Sequence, residues 1–66
     1  MILIINSEKM EFSEGVCIEQ ILDSLKIKNK AMAVAVNMQI VKKQNWKTYI
    51  PNDSDKIEIL QFVGGG

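Results

Sequence analysis

The end of the chain holds the residues whose type and position suggest chemistry. Gly64, Gly65 and Gly66 follow an apolar run and finish on a carboxylate. With an unperturbed pKa near ~3.5 this group is ionised at neutral pH, so it can act as a nucleophile towards an activated phosphate. Glycines have no side chain, and three extended residues reach about 10 Å, which suits entry into a narrow active site. The structural alternative is a frayed glycine end without a function.

The composition argues against a catalytic centre within the chain. The sequence has 66 residues, one cysteine and no histidine. Without histidine, a Ser-His-Asp or Cys-His site and most transition-metal sites cannot be built, so we predict no enzyme and no metal site. Asp53 and Asp55 share a short turn, but two carboxylates fall short of the ligand set of a calcium loop. We therefore expect the protein to enter a reaction as a substrate.

Charge and cysteine content exclude other classes of protein. Eight lysines balance eight carboxylates, arginine is absent, and the lysines are spread through the sequence. This pattern predicts binding to neither nucleic acid nor an anionic membrane. The apolar run 1–5 is too short for a signal peptide and lacks a basic flank. Because a single cysteine excludes an internal disulfide, we expect a protein of the reducing cytoplasm.

The hydrophobic pattern predicts the elements that must position the tail. Apolar residues alternate in strands and recur at i, i+3, i+4 and i+7 in one amphipathic helix, whose inward face is Ile18, Ile21, Leu22 and Leu25. Within 42–50, the spacing of Trp46 and Tyr49 predicts one helical turn against the core edge. The predicted strands are 2–5, 9–12, 32–36, 40–41 and 57–63, and the predicted helix runs from about Cys17 to Lys26.

This order predicts an α+β fold in which one helix covers one face of a mixed sheet of about five strands. The first and last strands are the most apolar, so we expect them to be parallel neighbours in the middle of the sheet. That arrangement is the β-grasp, or ubiquitin-like, architecture. We assign it to residues 1–63 and assign 64–66 to a flexible glycine tail, which would leave from a central strand.

Alternation places four apolar side chains on the sheet face that has no helix, and we expect them to lie close together. An apolar cluster on a small domain usually marks a surface for a partner, although lysine stems could cover it instead. The candidate partner-binding residues are Ile2, Ile4, Leu60 and Phe62.

Three segments together resemble the family of thiamine-biosynthesis sulfur carrier proteins: 35–41 followed by Trp46, the turn and strand 53–59, and the ending 62–66. The resemblance implies that an adenylating (E1-like) activating enzyme uses ATP and magnesium to adenylate Gly66. A sulfur donor protein then forms a thiocarboxylate, and thiazole synthase takes the sulfur. Gly64 and Gly65 would give the tail access, and the carrier itself would bind no cofactor.

The sequence departs from the family pattern at two positions. Cys17 stands where a threonine or serine often caps the helix, and Ser54 replaces the glycine of an Asp-Gly-Asp turn. A thiol is a weak cap, so both changes bear on local stability. A thiol at a helix N-terminus can also become reactive, although a tolerated weak cap is the favoured interpretation.

Three other functions are compatible with a chain that ends in glycines. The small subunit of molybdopterin synthase is also a β-grasp sulfur carrier with two terminal glycines, but it is usually longer. A ubiquitin-related modifier would share the activation of Gly66 and end as a conjugate on lysines. A protein-binding module with an inert tail would use only the apolar face.

Overall fold

The computed structural model of the protein describes residues 1–62, which form one sheet with an α-helix packed on it. The tail residues Gly64, Gly65 and Gly66 lie outside the described residues, and the division at residue 63 stays a prediction. The elements are β1 (Ile2–Ile5), β2 (Glu8–Glu11), α1 (Ile18–Ser24), β3 (Ala31–Val36), β4 (Gln39–Val41), a 3-10 helix (Lys43–Asn45) and β5 (Lys56–Gln61).

The five strands have the order β2-β1-β5-β3-β4. β1 and β5 are parallel, with Ile4 opposite Lys56 and Ile5 opposite Ile57, and the other neighbours are antiparallel. β5 is therefore the central strand, and the strand leading to the tail is supported on both sides. The mixed sheet and its parallel central pair confirm the predicted fold class.

The core lies between α1 and one face of the sheet. Ile18, Ile21 and Leu22 of α1 are buried, and Leu25 packs against the core, as the helical spacing predicts. From the sheet, alternate residues point inward: Leu3, Ile5, Val34, Val36, Ile57 and Ile59. The opposite face of the sheet, here called the open face, carries the other residues of each strand.

α1 is shorter than the predicted span at its C-terminal end. Its N-cap is Cys17, whose backbone N–H donates to Oε1 of Gln20 at 2.9 Å. The helix ends at its C-cap Leu25, and Lys26 then turns the chain with a φ of 60°. Glycine is the usual residue at such a position. Because Lys26 stands there instead, the end of the helix could not be recognised from the sequence. No helix among residues 1–62 is long and apolar enough to cross a membrane.

Both hairpin turns are one residue tighter than the sequence suggested. Asn6-Ser7 and Asn37-Met38 each form a two-residue turn with positive φ at both positions. Such turns match the twist of the flanking strands, and asparagine adopts them more readily than most residues. As a result β2 begins at Glu8 and β4 at Gln39, one residue earlier than predicted in each case.

The sequence predicts that Trp46 and Tyr49, in the segment after β4, both pack against the core edge, and only Trp46 is buried there. Trp46 is buried, and its Nε1 donates to the carbonyl of Val41 at 3.0 Å. Tyr49 is exposed, although its backbone N–H donates to the carbonyl of Asn45 at 2.9 Å. The carbonyls of Trp46 and Tyr49 instead accept from the backbone N–H groups of Glu19 and Ile18. This segment therefore satisfies two of the free donors at the start of α1.

Candidate functional site

The base of the predicted tail is held by the start of β3. β5 ends at Gln61, which lies opposite Ala31, and the N–H of Phe62 donates to the carbonyl of Lys30 at 2.7 Å. Main-chain hydrogen bonding on this side therefore reaches one residue beyond the strand. Gly66, the predicted reacting residue, is joined to Phe62 through the three residues Val63, Gly64 and Gly65.

On its other side, β5 is held by the side chain of Asn6. β1 ends at Ile5, opposite Ile57, so it offers β5 no strand partner further along. The side chain of Asn6 forms hydrogen bonds with β5 in place of a strand. Its Nδ2 donates to the carbonyl of Ile59 at 3.2 Å, and its Oδ1 accepts from the N–H of Ile59 at 2.8 Å. One amide thus supplies the donor and the acceptor of a missing backbone partner. This role of Asn6 was not predicted from the sequence, although an asparagine directly after a strand was the available signal.

A second asparagine holds the beginning of β5. The Oδ1 of Asn37 accepts from the N–H of Lys56, and its Nδ2 donates to Oδ1 of Asp55, both at 3.0 Å. Asp53 accepts from the N–H of Ile2 at 2.7 Å, and Asp55 accepts from the N–H of Asn52 at 2.8 Å. The two carboxylates thus act as hydrogen-bond acceptors that connect the turn before β5 to β1 and to Asn37.

The open face carries an apolar depression near the base of the tail. Register places Ala33 opposite Leu60 and Ala35 opposite Ile40. The small alanines leave a shallow space between the two larger side chains, of which Leu60 is 62% and Ile40 69% exposed. We call Ala33, Ala35, Ile40 and Leu60 the tail-side patch. Phe62, also 62% exposed, follows two residues after Leu60.

The structure does not bring the four candidate partner-binding residues together. Ile4 lies beside Lys56, and Leu60 is four residues further along β5, which is about 13 Å in an extended strand. Ile2 and Ile4 line a separate depression with Lys9 and Glu11. The expectation of one close cluster is therefore wrong, because β1 turns back at Asn6 before it reaches the level of Leu60. The role of these residues in binding stays a prediction.

Comparison with known proteins places the chain in a family. Residues 3–66 match the model of the ThiS family. The sulfur carrier protein ThiS of Escherichia coli is 30% identical over 66 residues, and the alignment covers both chains completely. A protein named thiazole synthase from Paramagnetospirillum magneticum is 39% identical over 66 residues. The alignment spans the whole of this chain but 20% of that relative.

Solved structures match the fold over the full chain. A crystal structure of a thiamine biosynthesis protein (ThiS) from Geobacter metallireducens superposes with a TM-score of 0.81 at 24% identity, with complete coverage of both chains. A solution NMR structure of a thiamine biosynthesis protein from the same organism has a TM-score of 0.79 at 25% identity and is covered over 88% of its length. The β-grasp architecture is therefore established for this chain.

Proposed function

The chain belongs to the ThiS family, and on this basis we propose that it is the sulfur carrier of thiazole formation in thiamine biosynthesis. The observation that carries the proposal is a family match that continues to residue 66, so that it includes the three glycines. As a carrier, the protein is a co-substrate of its partner enzymes and catalyses no step itself. The central position of β5 supports this role, because a strand with a neighbouring strand on each side leads to the reacting end.

The proposed reaction begins at the carboxylate of Gly66. One carboxylate oxygen attacks the α-phosphorus of ATP in an activating enzyme that holds the nucleotide and magnesium, and pyrophosphate leaves. A donor protein delivers sulfur at the oxidation level of sulfide to the acyl carbon, and AMP leaves with the original oxygen. The resulting thiocarboxylate gives its sulfur to thiazole synthase. The use of ATP supports a cytoplasmic location.

The folded part of the chain supplies recognition. Leu60 and Phe62, with Ile2 and Ile4 as a second contact region, present exposed or half-buried apolar surface on the open face. Docking through this surface would hold Gly66 near the active site at a high effective concentration. The thiazole synthase from Paramagnetospirillum magneticum contains a stretch similar to this whole chain, which supports thiazole synthase as a partner.

The test is intact-mass spectrometry after incubation with the candidate activating enzyme of the same genome, ATP, magnesium and a sulfur donor. We expect the mass change for replacement of one oxygen by sulfur. A variant lacking Gly66 should remain unmodified, while its thermal midpoint should equal that of the wild type because residues 1–62 supply the core.

The controls separate this proposal from the other functions. If the enzyme modifies a known carrier but leaves this chain unchanged, the carrier proposal is wrong. Covalent linkage to lysines of other proteins would instead identify a modifier. Complementation of a thiamine-requiring strain, compared with a molybdopterin-deficient strain, distinguishes the two carrier pathways.

A further inference from the structure

Five exposed lysines, which come from the segments 26–30 and 43–47, line two adjoining depressions in the folded chain. The first depression lies between the end of α1 and β3, and the second reaches the segment after β4; both include Lys28 and Asn29. We call these lysines the basic band: Lys26, Lys28, Lys30, Lys43 and Lys47. The balanced composition concealed this grouping, which arises only when the fold brings 26–30 and 43–47 together.

The basic band borders the base of the tail. The carbonyl of Lys30 accepts the hydrogen bond from Phe62, the last described residue. β4 is antiparallel to β3, so it ends towards the edge at which β3 begins and leads there into Lys43. The basic band therefore extends from the base of the tail towards α1 and Trp46.

Several carboxylates lie at the other end of β5, together with Lys9, Lys56 and the N-terminal ammonium of Met1. Glu11 lies opposite Ile2, whose N–H is bound by Asp53, and Asp55 directly precedes the strand. The basic band contains five lysines beside two carboxylates, Glu19 and Asp23. The basic band therefore gives the tail end of the folded domain an excess of positive side chains, whereas charges of both signs are mixed at the other end. In a negative potential, such a charge distribution turns the tail end forward.

We propose that the basic band docks on an acidic protein surface around the tail-binding channel of the activating enzyme; this rests on the proposed function. Lysines at the rim of an interface accelerate association and fix its orientation, whereas the tail-side patch would slow dissociation. A protein surface fits better than nucleic acid. Arginine, which binds phosphate in a bidentate manner, is absent.

The test compares two double variants that remove the same charge. Lys30→Gln with Lys47→Gln removes two lysines of the basic band, and neither side chain forms an ion pair with the described residues. The matched control is Lys9→Gln with Lys56→Gln, two exposed lysines outside the band that flank Ile4 and therefore also report on the second contact region. Association with the activating enzyme is measured by stopped-flow fluorescence at about 10 mM and about 150 mM salt, where the Debye lengths are roughly 30 and 8 Å.

At low salt, we expect the band variant to associate about five- to tenfold more slowly than the control, and the difference should shrink at the higher salt concentration. Its kcat at saturating carrier should match that of the wild type, because only the encounter is weakened. Equal association rates for the two variants, with normal modification of the wild type, would overturn the proposal and leave the carrier function intact. Failure of the wild type to be modified would instead refute the carrier function itself.

Two alternative binding partners of the basic band, a second copy of the chain and nucleic acid, are tested in parallel experiments. Salt-reversible self-association of the wild type in sedimentation velocity, lost in the band variant, would show that a second copy fills the band. Band-dependent binding to a 20-nucleotide single-stranded DNA of about micromolar affinity at about 150 mM salt would favour nucleic acid. Either result would overturn the assignment to the activating enzyme.

Discussion

Ser54 adopts a backbone conformation that is unfavourable for a residue with a side chain. Its φ is 70°, in the turn before β5, where the family resemblance implies a glycine. Ser54→Gly should relieve this strain and raise the free energy of unfolding by about 0.5–1 kcal/mol. The gain is limited because glycine also increases the entropy of the unfolded chain. Urea unfolding followed by circular dichroism measures the change.

Ser54→Ala is the matched control, because alanine keeps the unfavourable φ and removes only the hydroxyl group. That hydroxyl lies 3.3 Å from Oδ2 of Asp53 on an exposed turn, so its loss should change stability by less than about 0.5 kcal/mol. If alanine stabilised the protein as much as glycine, the strain would not reside in the left-handed conformation.

For single residues, burial and exposure were predicted from the sequence more completely than side-chain hydrogen bonds. Alternation and helical spacing follow from the geometry of single elements, so the inward faces of α1 and β5 were predicted from their own residues. Asn6 and Asn37 were treated as turn residues only. Their amides bind Ile59 and Lys56, which are distant in the sequence, and no local pattern reveals such partners.

At the scale of elements, the support of β5 by a single side chain leads to a prediction about Asn6. Asn6→Gly keeps a residue that tolerates the observed φ of 48° and removes the amide that binds Ile59. We expect the free energy of unfolding to fall by about 1–2 kcal/mol, because two backbone groups lose their partner. Native-state hydrogen exchange should show weaker protection of the Ile59 amide.

Ser7→Gly is the control within the same turn. Ser7 also has a positive φ, of 72°, and its substitution leaves the amide of Asn6 in place. This variant should be as stable as the wild type or more stable, with unchanged protection of Ile59. Equal loss of protection in both variants would mean that the turn, and not the amide, supports β5.

Strands were predicted to within about two residues at their described ends, whereas their register could not be predicted. Register depends on turn geometry and on where a neighbouring strand stops. β1 stops at Ile5, and this single fact separates Ile4 from Leu60 and divides the expected cluster into two regions. The central parallel pair was predicted correctly, but apolar character alone does not identify it, because β3 (Ala31–Val36) is more apolar than β5 (Lys56–Gln61).

At the scale of the whole molecule, two properties of the surface arise from the fold alone. The basic band collects lysines from two segments, and the tail-side patch collects apolar residues from three strands. Both lie towards the end of the sheet from which residue 62 leads to the glycines. The basic band lies on the side of α1 and the tail-side patch on the open face, so a partner that uses both must contact the two sides of the sheet around the base of the tail.

The contribution of the tail-side patch is testable through Leu60→Ser. Leu60 is 62% exposed, so the substitution should leave the thermal midpoint nearly unchanged. If the patch docks on the activating enzyme, KM for the carrier should rise about tenfold, which corresponds to about 1.4 kcal/mol, while kcat at saturation is retained. Steady-state measurement of pyrophosphate release gives both constants. Because the lost contact is apolar, the increase in KM should persist at about 150 mM salt, unlike the effect expected for the basic band.

Ile50→Ser is the matched control for this substitution. Ile50 has a similar exposed fraction of 54% but lies in the loop between the 3-10 helix and β5, outside the tail-side patch. Its KM should stay within about twofold of the wild-type value, since surface apolar residues outside an interface contribute little to binding. An equal rise in KM for both variants would show a general effect of surface hydrophobicity. An unchanged KM for Leu60→Ser would remove the tail-side patch from the interface, and recognition would then depend on the basic band and the tail.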